Sequence, residues 1–436
     1  MALCLLPRSR VAAVLAVAAL VNAALMLAAL VTCPACVPPR VEAPPPVDPD
    51  AGPELEEPVL IEPGCTDPGC LQALTVIGDY TLADVERWLS PGVVIDNGYS
   101  VFTLQYATDG RASTATVNVP FGVQPPEGGF PVVVNAHGTV GLEDPCRVSN
   151  TVSGAGLAGL FGARGAIGIA PDYPGLGTEG LHAYLSKEEE GKSVLDAIRA
   201  ARRLARYLDV PTNGRAAVVG LSQGGHAVLS AAALHASYAP ELDVRAFGAT
   251  APASVYEEHW RGGVAAAGPH QPYFALVAWD WAELAGAPQD FWSAERADDI
   301  NTLMRTRCLW SPSFTDELLL GEALGEDPAQ IFTAPFLEAF STGQWGPWGF
   351  MAEAFAANRV VPFEQTAPIR IWQGSADTVV LPAMTHGLVD DLNAAGMDVE
   401  LVDVPGGTHI NTAFGFVASA ELATEDSVAW ILGHLE

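Results

Sequence analysis

Apolar and polar residues alternate in YSVFTLQYAT and in STATVNVPF, which flank Asp109-Gly110. Period two predicts a pair of half-exposed strands joined as a hairpin. Beyond it the pattern changes to short continuous apolar runs, PVVVNA (Pro131–Ala136) and AIGIAP (Ala166–Pro171), which read as strands covered on both faces. In EEEGKSVLDAIRAARRLARYL, Val194, Leu195, Ile198, Ala201, Leu204 and Leu208 fall on one helical face. The strand AAVVG, the helix GGHAVLSAAALHASY and the strand VRAFGAT (Val244–Thr250) follow. From about Ala251 to Gln365 this rhythm stops. It resumes with IRIWQG, a helix from about Pro382, VELVDV and a last helix ending near Leu435. The prediction is an α/β fold, a mostly parallel doubly wound sheet with a largely helical insertion.

The insertion holds seven of the ten tryptophans and nine of the sixteen phenylalanines. It is expected to pack as a second lobe and to line an apolar pocket. The divisions that follow are a core from 76 to 250, the insertion from 251 to 365, and the rest of the core from 366 to 436.

The chain's first 36 residues read differently. Arg8 and Arg10 precede an uncharged run of 22 residues, Val11–Thr32. This is the pattern of an export signal. As a helix it would reach about 33 Å, enough to span a bilayer, so a retained membrane anchor is the alternative. LVTC (Leu30–Cys33) also resembles a lipobox, which would make Cys33 a lipidation site. Residues 37–75 read as a linker, because Pro38–Pro58 is rich in proline and acid. Acidic residues outnumber basic ones by 51 to 21, a formal charge of -30, which argues against a nucleic-acid partner. Cys65, Cys70, Cys146 and Cys308 would remain in the exported body, an even number suited to an oxidising compartment. The turn Asp67-Pro68-Gly69 makes a Cys65–Cys70 bridge plausible, and Cys146–Cys308 would then be the second. Zinc ligation and reduced buried thiols are the alternatives.

Candidate chemistry centres on VVGLSQGGHAVL (Val218–Leu229), where Gly220 and Gly224 flank Ser222 between a predicted strand and helix. Small flanking residues allow a strained turn that exposes a serine nucleophile. Such a serine needs a histidine base, and the histidine a carboxylate. In this fold the chain order is serine, acid, histidine. Asp377 follows the strand IRIWQG, and His409 follows VELVDV, both at the carboxyl ends of strands. His226, His386 and His434 lie in or beside predicted helices, as do Asp390 and Asp391, while Asp403 lies within a strand. None of these is preferred for the triad. An oxyanion hole needs two N–H groups, here from Gln223 and from Thr139 after the His137-Gly138 turn. The chemistry requires no metal or organic cofactor.

Together, AHGTVGLEDPC, APDYPGLGTEGLHAYL and GLSQGGHA resemble the secretory lipase family of α/β-hydrolases. That group includes fungal lipases of the Candida antarctica lipase A type and actinobacterial relatives. The similarity runs from about Tyr80 to the C-terminus. It implies the α/β-hydrolase fold, a Ser222–Asp377–His409 triad, a cap between the nucleophile and acid strands, and hydrolysis of carboxylic esters, often with long acyl chains. Asp144 and Cys146 match the bacterial pattern, which implies a structural cysteine there. Leu221 departs from it, standing where Tyr or His is usual. The reading is an exported lipase or esterase acting on a small-molecule ester or lipid. A serine peptidase or amidase on the same fold and a non-catalytic binding module are its rivals.

Overall fold

The computed structural model describes residues 58–87, 93–150, 157–309, 319–412 and 424–436. The export or anchor segment, Cys33 and the linker before Pro58 lie outside them. Among the described residues no helix is long and apolar enough to cross a membrane.

Among the described residues ten strands form one sheet: β1 (Val59–Leu60), β2 (Leu71–Tyr80), β3 (Gly98–Thr108), β4 (Arg111–Phe121), β5 (Phe130–Ala136), β6 (Ile167–Pro171), β7 (Thr212–Leu221), β8 (Asp243–Thr250), β9 (Ile369–Gly374) and β10 (Val399–Val404). Their spatial order is β1-β2-β3-β4-β6-β5-β7-β8-β9-β10. The first four strands are antiparallel, β6 joins β4 antiparallel, and every pair from β6 to β10 is parallel. The predicted hairpin is β3–β4. Asp109 and Gly110 both take positive φ, 42° and 78°, the turn that matches strand twist.

The sheet begins earlier than the sequence reading allows. The sequence pattern makes residues 37–75 a linker, yet β1 and the start of β2 fall inside that span. Leu71 pairs with Tyr106, and Leu71 and Leu74 are buried in the core. The proline and acid composition ends at Pro58, and Ala73, Thr75 and Gly78 dilute the apolar alternation behind it.

Helices cover both faces. On one side α1 (Leu157–Gly162) packs under the sheet with the C-terminal helix Thr424–Gly433, around Phe161, Trp372, Val428 and Ile431. On the other lie α2 (Lys187–Tyr207) and α3 (Gln223–Tyr238), against Val132, Val134, Ile169 and Val218. The Ser186 hydroxyl caps α2 by accepting from the Glu189 N–H. Fully buried β5 and the buried stretch Ala216–Gly220 of β7 read as continuous apolar runs because both their faces are covered.

After β5 the chain crosses to β6 on one side, then returns to place β7 on the other. The connections leaving β5 and β7 therefore diverge, opening a crevice at their carboxyl ends, where open α/β sheets hold ligands.

Between β8 and β9 the described residues are mainly helical, with α4 (Glu257–Val264), α5 (Gln271–Ala285), α6 (Ala297–Thr306), α7 (Ala334–Thr342) and α8 (Gly349–Asn358). Their apolar faces make a separate aromatic cluster. Phe291 and Phe336 stack at 4.9 Å between ring centroids, and Trp281 meets Phe355 edge-on at 4.9 Å. Most of these rings therefore bury one another. Both expected cysteine pairings are disulfides, Cys65–Cys70 and Cys146–Cys308, so zinc ligation and reduced thiols are set aside.

Candidate active site

Ser222 sits at the turn from β7 into α3 with φ 60° and ψ -116°, a conformation that costs a non-glycine residue energy. Neighbouring backbone holds it there. Its N–H donates to the Thr250 carbonyl (2.9 Å), and its carbonyl accepts from His226 N (3.0 Å) and Ala253 N (3.1 Å). The flanking glycines answer to close packing. A Cβ at Gly224 would overlap the Ala136 carbonyl oxygen, and one at Gly220 would overlap the Gly224 carbonyl. The strand ends and the helix start thus touch through bare backbone.

Beside this turn runs the loop after β5. A Cβ built on Gly138 would lie 3.2 Å from the Leu221 carbonyl oxygen and 3.8 Å from the Ser222 Cβ. The Tyr173 hydroxyl donates to the His137 carbonyl (3.0 Å), and the Thr139 hydroxyl bonds the Tyr184 hydroxyl (2.8 Å). Tyr184 is anchored from the insertion. Its N–H donates to Asp280 Oδ2 (2.9 Å), and its carbonyl accepts from Trp281 Nε1 (3.0 Å). Burial pushes the Asp280 carboxyl well above the usual carboxylate range.

Asp377 follows β9 and His409 follows β10, and the structure brings them together. Nδ1 of His409 lies 2.8 Å from Asp377 Oδ2. Oδ1 of Asp377 accepts the N–H groups of Val379 (2.8 Å) and Val380 (3.0 Å), and Oδ2 accepts Gln373 Nε2 (3.3 Å). Only donors surround the carboxylate, so the imidazole also donates, through Nδ1–H, and its Nε2 is left with a lone pair. Asp377 and His409 are only 3% and 6% exposed.

A small pocket joins the two halves. Ser222 lines it, as do Val379 and Val380 from the acid loop and Trp260, Tyr273 and Phe274 from the insertion. Its volume is about 40 Å³. Burial, with the nearby Asp377 charge, pushes the Tyr273 phenol up to about 12. A larger groove of about 990 Å³ lies at the amino-terminal ends of β9 and β10, lined by Phe363, Glu364, Met397 and Trp430. Of the candidate residues only His434 lines it, and none of Ser222, Asp377 and His409 does.

The other candidates are engaged elsewhere. His386 pairs with Asp403 at the surface (2.8 Å), His434 faces the Trp430 carbonyl (2.7 Å), and Asp390 and Asp391 are exposed on the helix Pro382–Ala394. His226 is buried behind the turn, 2.8 Å from Glu190 Oε2. Sequence reasoning missed that Glu190. It reads as one of three acids in the first turn of α2, yet it is fully buried, four residues before Val194 on the buried face. That spacing is the signal that was available.

Known proteins share this architecture. The rice cell wall degrading esterase LipA from Xanthomonas oryzae superposes with a TM-score of 0.69 at 19% identity, covering 84% of this chain and 98% of that one. Candida antarctica lipase A in its closed state superposes at 0.56 with 18% identity, covering 79% and 78%. The fold is that of the α/β-hydrolases. The secretory lipase family model matches residues 158–257, from α1 through Ser222 to the start of α4. Lipase A of Moesziomyces aphidis is 30% identical over 164 residues, 34% of this chain and 34% of that protein. The aligned stretch thus spans about a third of that relative's length, and the family model covers the part of the α/β-hydrolase core that carries Ser222.

Proposed function

We propose that this α/β-hydrolase is an exported carboxylic-ester hydrolase of the lipase or esterase type, with Ser222 as nucleophile, His409 as base and Asp377 as the acid of the triad. The observation that carries the reading is the Asp377–His409 pair beside a pocket that Ser222 lines at φ 60°. His409 Nε2 takes the hydroxyl proton as Ser222 Oγ attacks the ester carbonyl. The N–H groups of Gln223 and Thr139 stabilise the oxyanion, while Asp377 stabilises the imidazolium. His409 then returns the proton to the leaving alcohol. Water repeats the sequence on the acyl-enzyme, releasing the acid and restoring Ser222. Export accords with the two disulfides and with the charged, then apolar, N-terminal segment.

The cavity favours a small acyl group. At about 40 Å³ it is far below the several hundred Å³ of a typical small-molecule pocket, and aromatic rings close it on the insertion side, so it suits a short acyl chain better than a long one. Its back wall is firm. Trp260 packs 5.2 Å from Phe274 and edge-on to Phe355, and its Nε1 donates to the Ser254 carbonyl. The expectation that the aromatic insertion lines an apolar pocket therefore narrows to Trp260, Tyr273 and Phe274.

The test is hydrolysis of p-nitrophenyl esters from acetate to palmitate, with Ser222→Ala in parallel. Acetate and butyrate should be turned over best, and the variant should lose roughly three or more orders of magnitude in kcat/KM. Hydrolysis that survives in the variant would remove Ser222 from the mechanism. A palmitate optimum would overturn the small-acyl reading and leave the triad standing.

A further inference from the structure

Behind the candidate oxyanion hole lies a buried polar cluster that the triad chemistry does not use. Glu190 is its centre. Oε1 accepts the N–H of Leu185 (2.8 Å) and Nε2 of Gln223 (2.8 Å), and Oε2 faces Nδ1 of His226 (2.8 Å). All these contacts are with residues around Ser222. Gln223 follows it directly, and His226 donates its own backbone N–H to the Ser222 carbonyl. Leu185 lines the Ser222 pocket and itself sits at φ 57°.

The orientation of Gln223 is over-determined. Its second amide hydrogen points at His182 Nε2, 2.9 Å away. Burial pushes His182 down to about 3, so the ring is neutral and accepts there, while Nδ1 faces the Pro174 carbonyl at 3.4 Å. Turning the amide over would set its oxygen against the Glu190 carboxylate and a lone pair of His182. As placed, Gln223 Oε1 is buried without a partner, so the two acceptors alone fix the side chain. Nε2 of His226 donates to the Asn358 carbonyl (3.0 Å) at the end of α8, and one further proton lies between its Nδ1 and Glu190 Oε2, as a charged pair or as neutral acid and imidazole. The same carboxylate thus reaches the insertion through His226.

We propose that Glu190 is a positioning residue for the oxyanion hole: it clamps the Gln223 amide so that the Gln223 backbone N–H is held toward the reacting carbonyl. This rests on the esterase reading above. A buried carboxylate is costly unless every lone pair is used. Here its acceptors are spent on the residues that shape the turn, so the cost is met where pre-organised donors matter most.

The experiment is a double-mutant cycle on the full chain with p-nitrophenyl butyrate, each variant's active sites titrated with a fluorophosphonate. Glu190→Ala should lower kcat per titrated site by about 10–100-fold, with KM changed by less than about threefold, as for a displaced oxyanion donor. Gln223→Ala keeps its backbone N–H, loses the clamped amide and should fall by a similar factor. The double variant should be no slower than the worse single variant, because one path is cut twice. Glu190→Gln, which can still accept from Gln223, should recover most of the loss. An unchanged kcat per titrated site in Glu190→Ala, with only melting temperature or active fraction reduced, would overturn the proposal, as would losses that multiply in the double variant. If Glu190→Ala does not fold, an unchanged per-site kcat in Gln223→Ala overturns it equally. A wild-type chain that neither labels nor hydrolyses any ester would instead bring down the esterase reading, and the proposal with it.

Discussion

Among the described residues six non-glycine residues have positive φ, and they sort by purpose. Asp109 and Asp209 are exposed turn residues, where aspartate tolerates the left-handed region. Tyr173, Leu185, Ser222 and Ala251 are buried near the carboxyl ends of the strands. Strain gathered there is sustained by packing, so removing the space that permits it should be severe. Gly224→Ala would press a methyl group into the Ala136 carbonyl, and its melting temperature should fall by many degrees, measurable by circular dichroism. Asp377→Asn should spare the fold and damage turnover. Its oxygen can still accept from Val379 and Val380, but an amide in place of Oδ2 donates toward His409 Nδ1 and favours the wrong tautomer. A loss of about 10⁴-fold in kcat with a nearly unchanged melting curve is the expected result. The strand-end positions of Ser222, Asp377 and His409, the residues of the proposed triad, were legible because the loops that carry them follow buried strands in a fixed order. Glu190 was hidden by its company: an acid among acids at a helix start reads as a solvated partner of the helix dipole. Only tertiary burial tells it from Glu188 and Glu189.

Among elements, the alternation of buried runs and amphipathic helices made β3 to β10 readable. β2 was lost because its edge-side positions are mixed and a proline-rich stretch precedes it. The insertion was not resolved into elements because its helices are short and lack the strand–helix rhythm of the core, and their buried residues meet in one aromatic cluster. What ties that insertion to the core is covalent as well as apolar. Cys146 belongs to the loop after β5, and Cys308 follows α6, 162 residues away. Chain entropy gives such a crosslink about 5 kcal/mol, against about 2 kcal/mol for the short Cys65–Cys70 loop. The Cys146→Ser/Cys308→Ser pair should therefore lower the melting temperature far more than Cys65→Ser/Cys70→Ser. It should also reduce activity below the melting point, because the loop it releases leads from Thr139. Equal thermal shifts for the two pairs would show that the long crosslink adds nothing beyond the packing around it.

At the scale of the whole molecule, two buried groups set opposite slopes on stability against pH. The Asp280 carboxyl is raised by burial, so the folded chain keeps a proton that the unfolded chain releases above about pH 4. Its contribution is complete below that pH and declines as pH rises through the folded value. Asp280→Asn should accordingly gain stability relative to wild type as the buffer becomes more alkaline. His182 works the other way. Unfolded, it takes a proton near pH 6.5; folded, burial and the neighbouring His137 hold it down to about 3. Its contribution is therefore intact above about pH 6.5 and lost as pH falls toward 3, a change on the order of several kcal/mol. His182→Gln removes the titrating ring and can leave an acceptor for the Gln223 amide. Urea unfolding at intervals from pH 7 to pH 4 should show a steep loss of stability in the wild type and a flatter one in this variant. Equal slopes would mean that His182 charges in the folded state, and the neutral ring that accepts from Gln223 would have to be abandoned. Because the chain carries a formal charge of -30, these series belong at fixed, moderate ionic strength, where screening of self-repulsion is the same at every point.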